Sequence, residues 1–249
     1  MANIVQQKIT LRISDGTSMN AFVARPGGKD KSPGVLVFQE AFGVNAHIRD
    51  VTQRIAKEGY VAIAPEMFHR TAPPGFEAGY TDMQSVMPHL RALTETGMSD
   101  DIGAAHDWLR KDSQVAADRI ASIGFCMGGR VSFLACATVE LCAAISFYGG
   151  GIAPALLPHA SELRAPMLFF WGGRDKHIGQ DQIRSVMEAL DKERKTYTNV
   201  EISDADHGFF CDQRASYNPS AARQAWALSR SFLEMHLKPD VAAAPAAEG

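Results

Sequence analysis

The run Ile120-Ala121-Ser122-Ile123-Gly124-Phe125-Cys126-Met127-Gly128-Gly129-Arg130 demands a sharp turn between two kinds of secondary structure. An apolar, β-branched stretch ends at Gly124, and the helix-like run Val131–Ala135 begins just after Gly129. A side chain at such a strand-to-helix bend crowds the backbone around it, so small residues are needed two before and two after. Gly124 and Gly128 supply them, which leaves Cys126 at the apex of a G-x-C-x-G pattern with a further glycine behind it. The opening of the helix turns free N–H groups and its positive end toward the thiol, favouring thiolate and a developing oxyanion. A buried structural cysteine beside a small-residue turn would show the same letters. A nucleophile must therefore find its partners elsewhere in the chain.

The remaining pattern is an alternation of short apolar runs and helical periods. Gln7–Ser14 and Ser18–Arg25, separated by Asp15-Gly16-Thr17, read as an antiparallel hairpin. Strands follow at Gly34–Gln39, Tyr60–Ala64, Arg119–Gly124, Ala143–Phe147, Pro166–Trp171 and Thr198–Ser203, giving eight in all. Helices are predicted at His47–Glu58, closed by Gly59, at Ser99–Lys111 with Ser99 as cap, and near Gln180–Leu190 and Ser220–His236. Strands joined by helices imply an α/β fold: a mostly parallel eight-stranded sheet, helices on both faces, and sites at the carboxyl ends of the strands. One domain over residues 1–237 is expected, with 238–249 an Ala/Pro-rich flexible tail. The Pro/Gly-broken, aromatic stretch His69–Tyr80 either rims a pocket or merely bridges two elements.

Composition narrows the partners. With 249 residues, 46% hydrophobic and 21% charged, the chain can bury one large core. A net charge of −3 with scattered Lys and Arg gives no basic groove for nucleic acid and no basic face for an anionic membrane. No apolar run reaches the roughly 18 residues of a membrane span, and no h-region follows the first residues. A cytoplasmic protein acting on a small molecule is expected, as a monomer or weak homodimer. Cys126, Cys136, Cys142 and Cys211 show neither metal-ligand spacing nor a disulfide framework, and nothing spells G-x-G-x-x-G. The expectation is no metal and no cofactor.

A cysteine nucleophile needs a base within hydrogen-bond reach, and the base needs a third group to fix its tautomer. Strand Pro166–Trp171 runs into Gly172-Gly173-Arg174-Asp175, and strand Thr198–Ser203 into Asp204-Ala205-Asp206-His207-Gly208-Phe209. Both groups thus follow the carboxyl end of a strand, in the chain order nucleophile, acid, histidine. The other seven histidines fit the base role less well, and Asp204 and Asp206 compete with Asp175 as the acid.

Taken together, Gly124–Gly129, Gly172-Gly173-Arg174-Asp175, His207-Gly208-Phe209 and the early Gln39-Glu40-Ala41-Phe42-Gly43-Val44-Asn45 resemble the dienelactone hydrolase family of the α/β-hydrolase fold. The segment Tyr217-Asn218-Pro219 with Ala221–Trp226 is similar to that family's C-terminal helix, so the resemblance spans most of the chain. It implies a cysteine hydrolase that opens lactones or cleaves activated esters through an acyl-enzyme. It also implies a triad of Cys126, His207 and Asp175, with Glu40 holding or deprotonating the resting thiol. The oxyanion hole would be the backbone N–H groups of Met127 and Ala41. Phe42, Phe125, Met127, Tyr148, Phe209 and Phe210 are candidates for apolar walls, though they would serve equally as core.

One departure bears on substrate. The resemblance implies arginines on a substrate carboxylate, one of them four residues beyond the histidine, where this chain has Cys211. Arg214, Arg70 and Arg91 are the candidates to replace it. The competing reading of the whole chain is a non-catalytic binding or redox-sensing protein on the same fold.

Overall fold

The computed structural model describes residues 3–28 and 30–238. The strands β1 (Ile4–Arg12), β2 (Ser18–Pro26), β3 (Ser32–Phe38), β4 (Val61–Pro65), β5 (Val115–Phe125), β6 (Ala143–Phe147), β7 (Met167–Gly172) and β8 (Tyr197–Ile202) join one sheet. Their order is β1-β2-β4-β3-β5-β6-β7-β8. The first two pair as an antiparallel hairpin and β2 runs antiparallel to β4. Every pairing from β4 to β8 is parallel. The expected mostly parallel eight-stranded sheet is what forms.

Parallel neighbours require crossovers, supplied by helices α1 (Ala46–Lys57), α2 (Met83–Ala92), α3 (Glu95–Lys111), α4 (Met127–Thr138) and α5 (Gln180–Lys192); α6 (Pro219–Leu237) follows the last strand. Such crossovers are right-handed, so the direction of travel along the sheet decides the face. From β3 through α1 to β4 the chain moves one way, while β5–α4–β6 and β7–α5–β8 move the other. Hence α1 covers one face and α4 and α5 the opposite one. α6 shares the face of α1, where Arg54 lies 4.3 Å over the Trp226 ring and Arg230 pairs with Glu58 at 2.9 Å. With both faces covered, β4, β6 and β7 are buried at every residue, while the edge strands β1 and β8 keep exposed positions.

Progress along the sheet reverses between β3 and β5, which lie side by side with Leu36 opposite Ser122 and Phe38 opposite Gly124. The crevice at the carboxyl ends of two such strands is open to a ligand. Glu40 follows β3 there, and Cys126 follows β5.

Several boundaries differ from expectation for identifiable reasons. α3 begins at Glu95, with Thr94 Oγ1 accepting from the Gly97 N–H at 3.1 Å, so Thr94 is the cap rather than Ser99. β5 begins at Val115 because its pairing with β3 slips between Ser32 and Gly34, a bulge that interrupts the apolar alternation before Arg119. α2 was hidden by its internal Pro88; Asp82 starts it by accepting from the Ser85 N–H at 3.1 Å. The tail expected at 238–249 lies, apart from Lys238, outside the described residues. Among the described residues, no helix is long and apolar enough to cross a membrane.

Candidate active site

Cys126 sits at φ 54°, ψ −119°, a conformation that ordinary L-residues avoid. Its N–H donates to Phe147 O at 3.0 Å, tying the bend to the neighbouring strand. The glycines around it are a steric requirement. A Cβ on residue 124 would lie 1.8 Å from Gly128 O, and one on residue 128 would lie 2.3 Å from Phe38 O. The helix begins immediately at Met127, four residues before the expected run at Val131, so the Met127 N–H has no acceptor within the helix.

His207 reaches this thiol from the loop after β8. Its Nε2 stands 3.1 Å from Cys126 Sγ, and its Nδ1 is 2.7 Å from Asp175 Oδ2. Asp175 is itself oriented, since its other oxygen accepts from the N–H groups of His177 at 2.7 Å and Ile178 at 3.1 Å. Asp206 does not compete: its carboxylate accepts from the His207 backbone N–H. Burial opposes charge on the imidazole, but the bonds to Asp175 and Cys126 outweigh it and raise the His207 pKa to about 10. Burial likewise opposes ionisation of Asp175, and the histidine together with the two N–H donors holds its pKa below the usual carboxylate value.

Glu40 lies completely buried beside this chain of groups. Its Oε1 accepts from Arg214 Nη1 at 3.1 Å, and its Oε2 has no hydrogen-bond partner. Burial raises the Glu40 pKa, while the Arg214 and His207 charges pull it down. The structure therefore brings Glu40 against Arg214 rather than into a hydrogen bond with Cys126.

A cavity of about 620 Å³ opens over the thiol. Cys126, His207, Met127, Ala41, Phe42 and Arg214 all line it. Tyr148 and Phe209 do not; both are fully buried, with the Tyr148 ring 5.2 Å from that of His207 and Phe209 packed edge-on behind it. Phe125 and Phe210 stack at 5.3 Å within the core. The long stretch before Tyr80 is a rim: the Ala78 N–H donates to Phe42 O at 3.2 Å, and the Tyr80 ring meets Phe42 edge-on at 4.8 Å.

Of the arginines considered, Arg70 is committed elsewhere, to Asp15 and the buried Asp101 at 2.7 and 2.8 Å. Arg91 and Arg214 do line the cavity. Sequence reasoning missed Arg130, on α4, and also the apolar wall of Met83, Met87 and Leu90, the latter because α2 itself was not foreseen. Cys211 is buried and donates to the Tyr80 hydroxyl at 3.1 Å. It also meets Glu40 and His47 in a cluster of possible metal ligands, residues whose separation in sequence gave no spacing signal.

A doubly covered parallel sheet with a strand-to-helix elbow, an acid and a histidine at its carboxyl edge defines an α/β hydrolase. Within that class, residues 19–237 match the model of the dienelactone hydrolase family, and the chain belongs to it. A Synechocystis protein named "Putative carboxymethylenebutenolidase" is 37% identical over 227 residues, covering 87% of this chain and 92% of its own. A Bradyrhizobium protein named "Probable 2-oxo-3-(5-oxofuran-2-ylidene)propanoate lactonase" is 28% identical over 234 residues, or 90% of this chain and 92% of its own. The crystal structure of a "Putative Dienelactone Hydrolase" from Klebsiella pneumoniae superposes with a TM-score of 0.85 at 31% identity, covering 93% of this chain and 98% of that one.

Proposed function

We propose that the chain hydrolyses lactones or activated carboxylic esters through an acyl-enzyme on Cys126. The observation that carries this reading is the line Cys126–His207–Asp175, with 3.1 and 2.7 Å links, opening onto the cavity. His207 Nε2 takes the thiol proton, and Sγ attacks the acyl carbon. The carbonyl oxygen, becoming an oxyanion, is received by the backbone N–H groups of Met127 and Ala41, each contributing about 3–4 kcal/mol to the transition state. The imidazolium returns its proton to the departing oxygen, and water activated by His207 then frees the acid. Asp175 holds the Nδ1–H tautomer throughout. His207, rather than Glu40, holds the resting thiol, so the role proposed for Glu40 is to place Arg214 at the cavity wall.

The cavity's composition points to substrates with an apolar body, resting on Phe42, Met83, Met87 and Leu90. Arg91, Arg130 and Arg214 offer cations to any carboxylate carried by the substrate. A panel of p-nitrophenyl esters, aryl lactones and dienelactones tests the reading directly. Turnover of at least one class is expected, with an acyl adduct on Cys126 seen by mass spectrometry when deacylation is slow. Absence of hydrolysis across the panel would overturn it.

A further inference from the structure

Glu40 and His47 lie between the end of β3 and the first turn of α1 and Cys211 follows β8, yet one ligand atom from each lies within 4.8 Å of the other two. All three residues are buried, at 0%, 2% and 0% exposure. Two of these side chains carry atoms that the protein leaves unsatisfied: Glu40 Oε2 and His47 Nε2 have no hydrogen-bond partner. Buried polar atoms without partners are costly, and two in one cluster call for an occupant.

From this cluster we propose a binding site for one divalent transition-metal ion of the zinc type, held by Glu40, His47 and Cys211. A carboxylate oxygen, an imidazole nitrogen and a thiolate sulfur make the mixed donor set that zinc accepts, whereas calcium and magnesium require oxygen alone. The surroundings orient the set. His47 Nδ1 faces the Asp212 carboxylate at 3.8 Å, and Nε2 is the ring nitrogen without a partner. Arg214 occupies only Oε1 of Glu40. Binding replaces the thiol's S–H bond by a sulfur–metal bond and releases that proton to solvent. Glu40 and Cys211 as anions then offset the two positive charges of the ion, which leaves Arg214 without its counter-charge.

The site is distinct from the triad but adjoins the same cavity, through Tyr80, which accepts the Cys211 hydrogen bond, and Arg214. A bound ion would break the Cys211–Tyr80 bond and compete with Arg214 for Glu40, so the metal is expected to inhibit hydrolysis. The existence of the site does not depend on the hydrolytic reading.

The test is calorimetric titration of Zn²⁺ into the full chain carrying Cys126→Ala, which removes the triad sulfur as a competing ligand. One ion per chain is expected. Adding Cys211→Ala, or His47→Gln, should weaken binding at least about 100-fold, with folding checked by circular dichroism. A second reading is independent of any folding defect in those variants: Co²⁺ in the Cys126→Ala protein should show a thiolate-to-metal charge-transfer band. No heat of binding, no such band, or tight binding that survives Cys211→Ala in a folded protein would each overturn the proposal.

Discussion

A Cβ atom on residue 124 would stand 1.8 Å from the carbonyl oxygen of Gly128, less than half the ordinary separation of such atoms. The oxygen belongs to the first turn of α4, so it cannot retreat without unwinding the helix that fixes Cys126. Gly124→Ala is therefore expected to cost about 3 kcal/mol or more, read from urea unfolding. A loss under about 1 kcal/mol would show that this turn adjusts freely.

The proposed triad predicts a graded loss of activity. Cys126→Ala and His207→Ala should each lower kcat on an activated ester by a factor on the order of 10⁴ or more. Asp175→Ala should lower it by about 10²–10⁴, since the histidine keeps its place but loses its orienting partner. Cys126→Ala should leave the circular dichroism spectrum unchanged. An Asp175→Ala enzyme at full speed would refute the assigned acid.

The ion pair behind the cavity predicts a non-additive cycle. Arg214→Met leaves a carboxylate that is wholly inaccessible to water without its charged partner. The expected loss is about 3–5 kcal/mol. Glu40→Gln introduced into that variant should recover most of it, because a neutral amide needs no counter-charge. Simple addition of the two single losses would show that the residues do not act as a pair.

The shifted histidine predicts a dependence of stability on pH. His207 is raised to about 10 from an ordinary 6.5, so the folded chain holds a proton that the unfolded chain releases between those values. Its contribution is full below pH 6.5 and is lost as the pH rises toward 10. Unfolding free energies measured across that window should fall for the native protein. The slope should flatten in His207→Gln; an unchanged slope in that variant would place the titrating group elsewhere.

The order of elements and the meeting of Cys126, His207 and Asp175 were legible because each rests on local chemistry at the carboxyl end of a strand. Asp175 and His207 each follow a strand directly, and a parallel sheet brings such ends to one edge. Two things could not be read. α2 carries Pro88, so its start depends on the Asp82 cap and its place on packing over the cavity, which left Met83, Met87 and Leu90 unassigned. Which of the candidates Arg214, Arg70 and Arg91 would reach the cavity was equally hidden. Arg214 reaches Glu40 from three residues further along by crossing over Gly208, where a Cβ would collide with the guanidinium at 2.3 Å. That route is a property of the folded loop and leaves no spacing signature in the chain.

The backbone at Cys126 carries a consequence for heat resistance. Any side chain at φ 54°, ψ −119° is held in a conformation costing about 1–3 kcal/mol, and unfolding releases that tension. Glycine alone escapes it. A Cys126→Gly protein should therefore melt later than the native one and, on the proposed mechanism, catalyse nothing, which would set thermal tolerance against chemistry at a single residue.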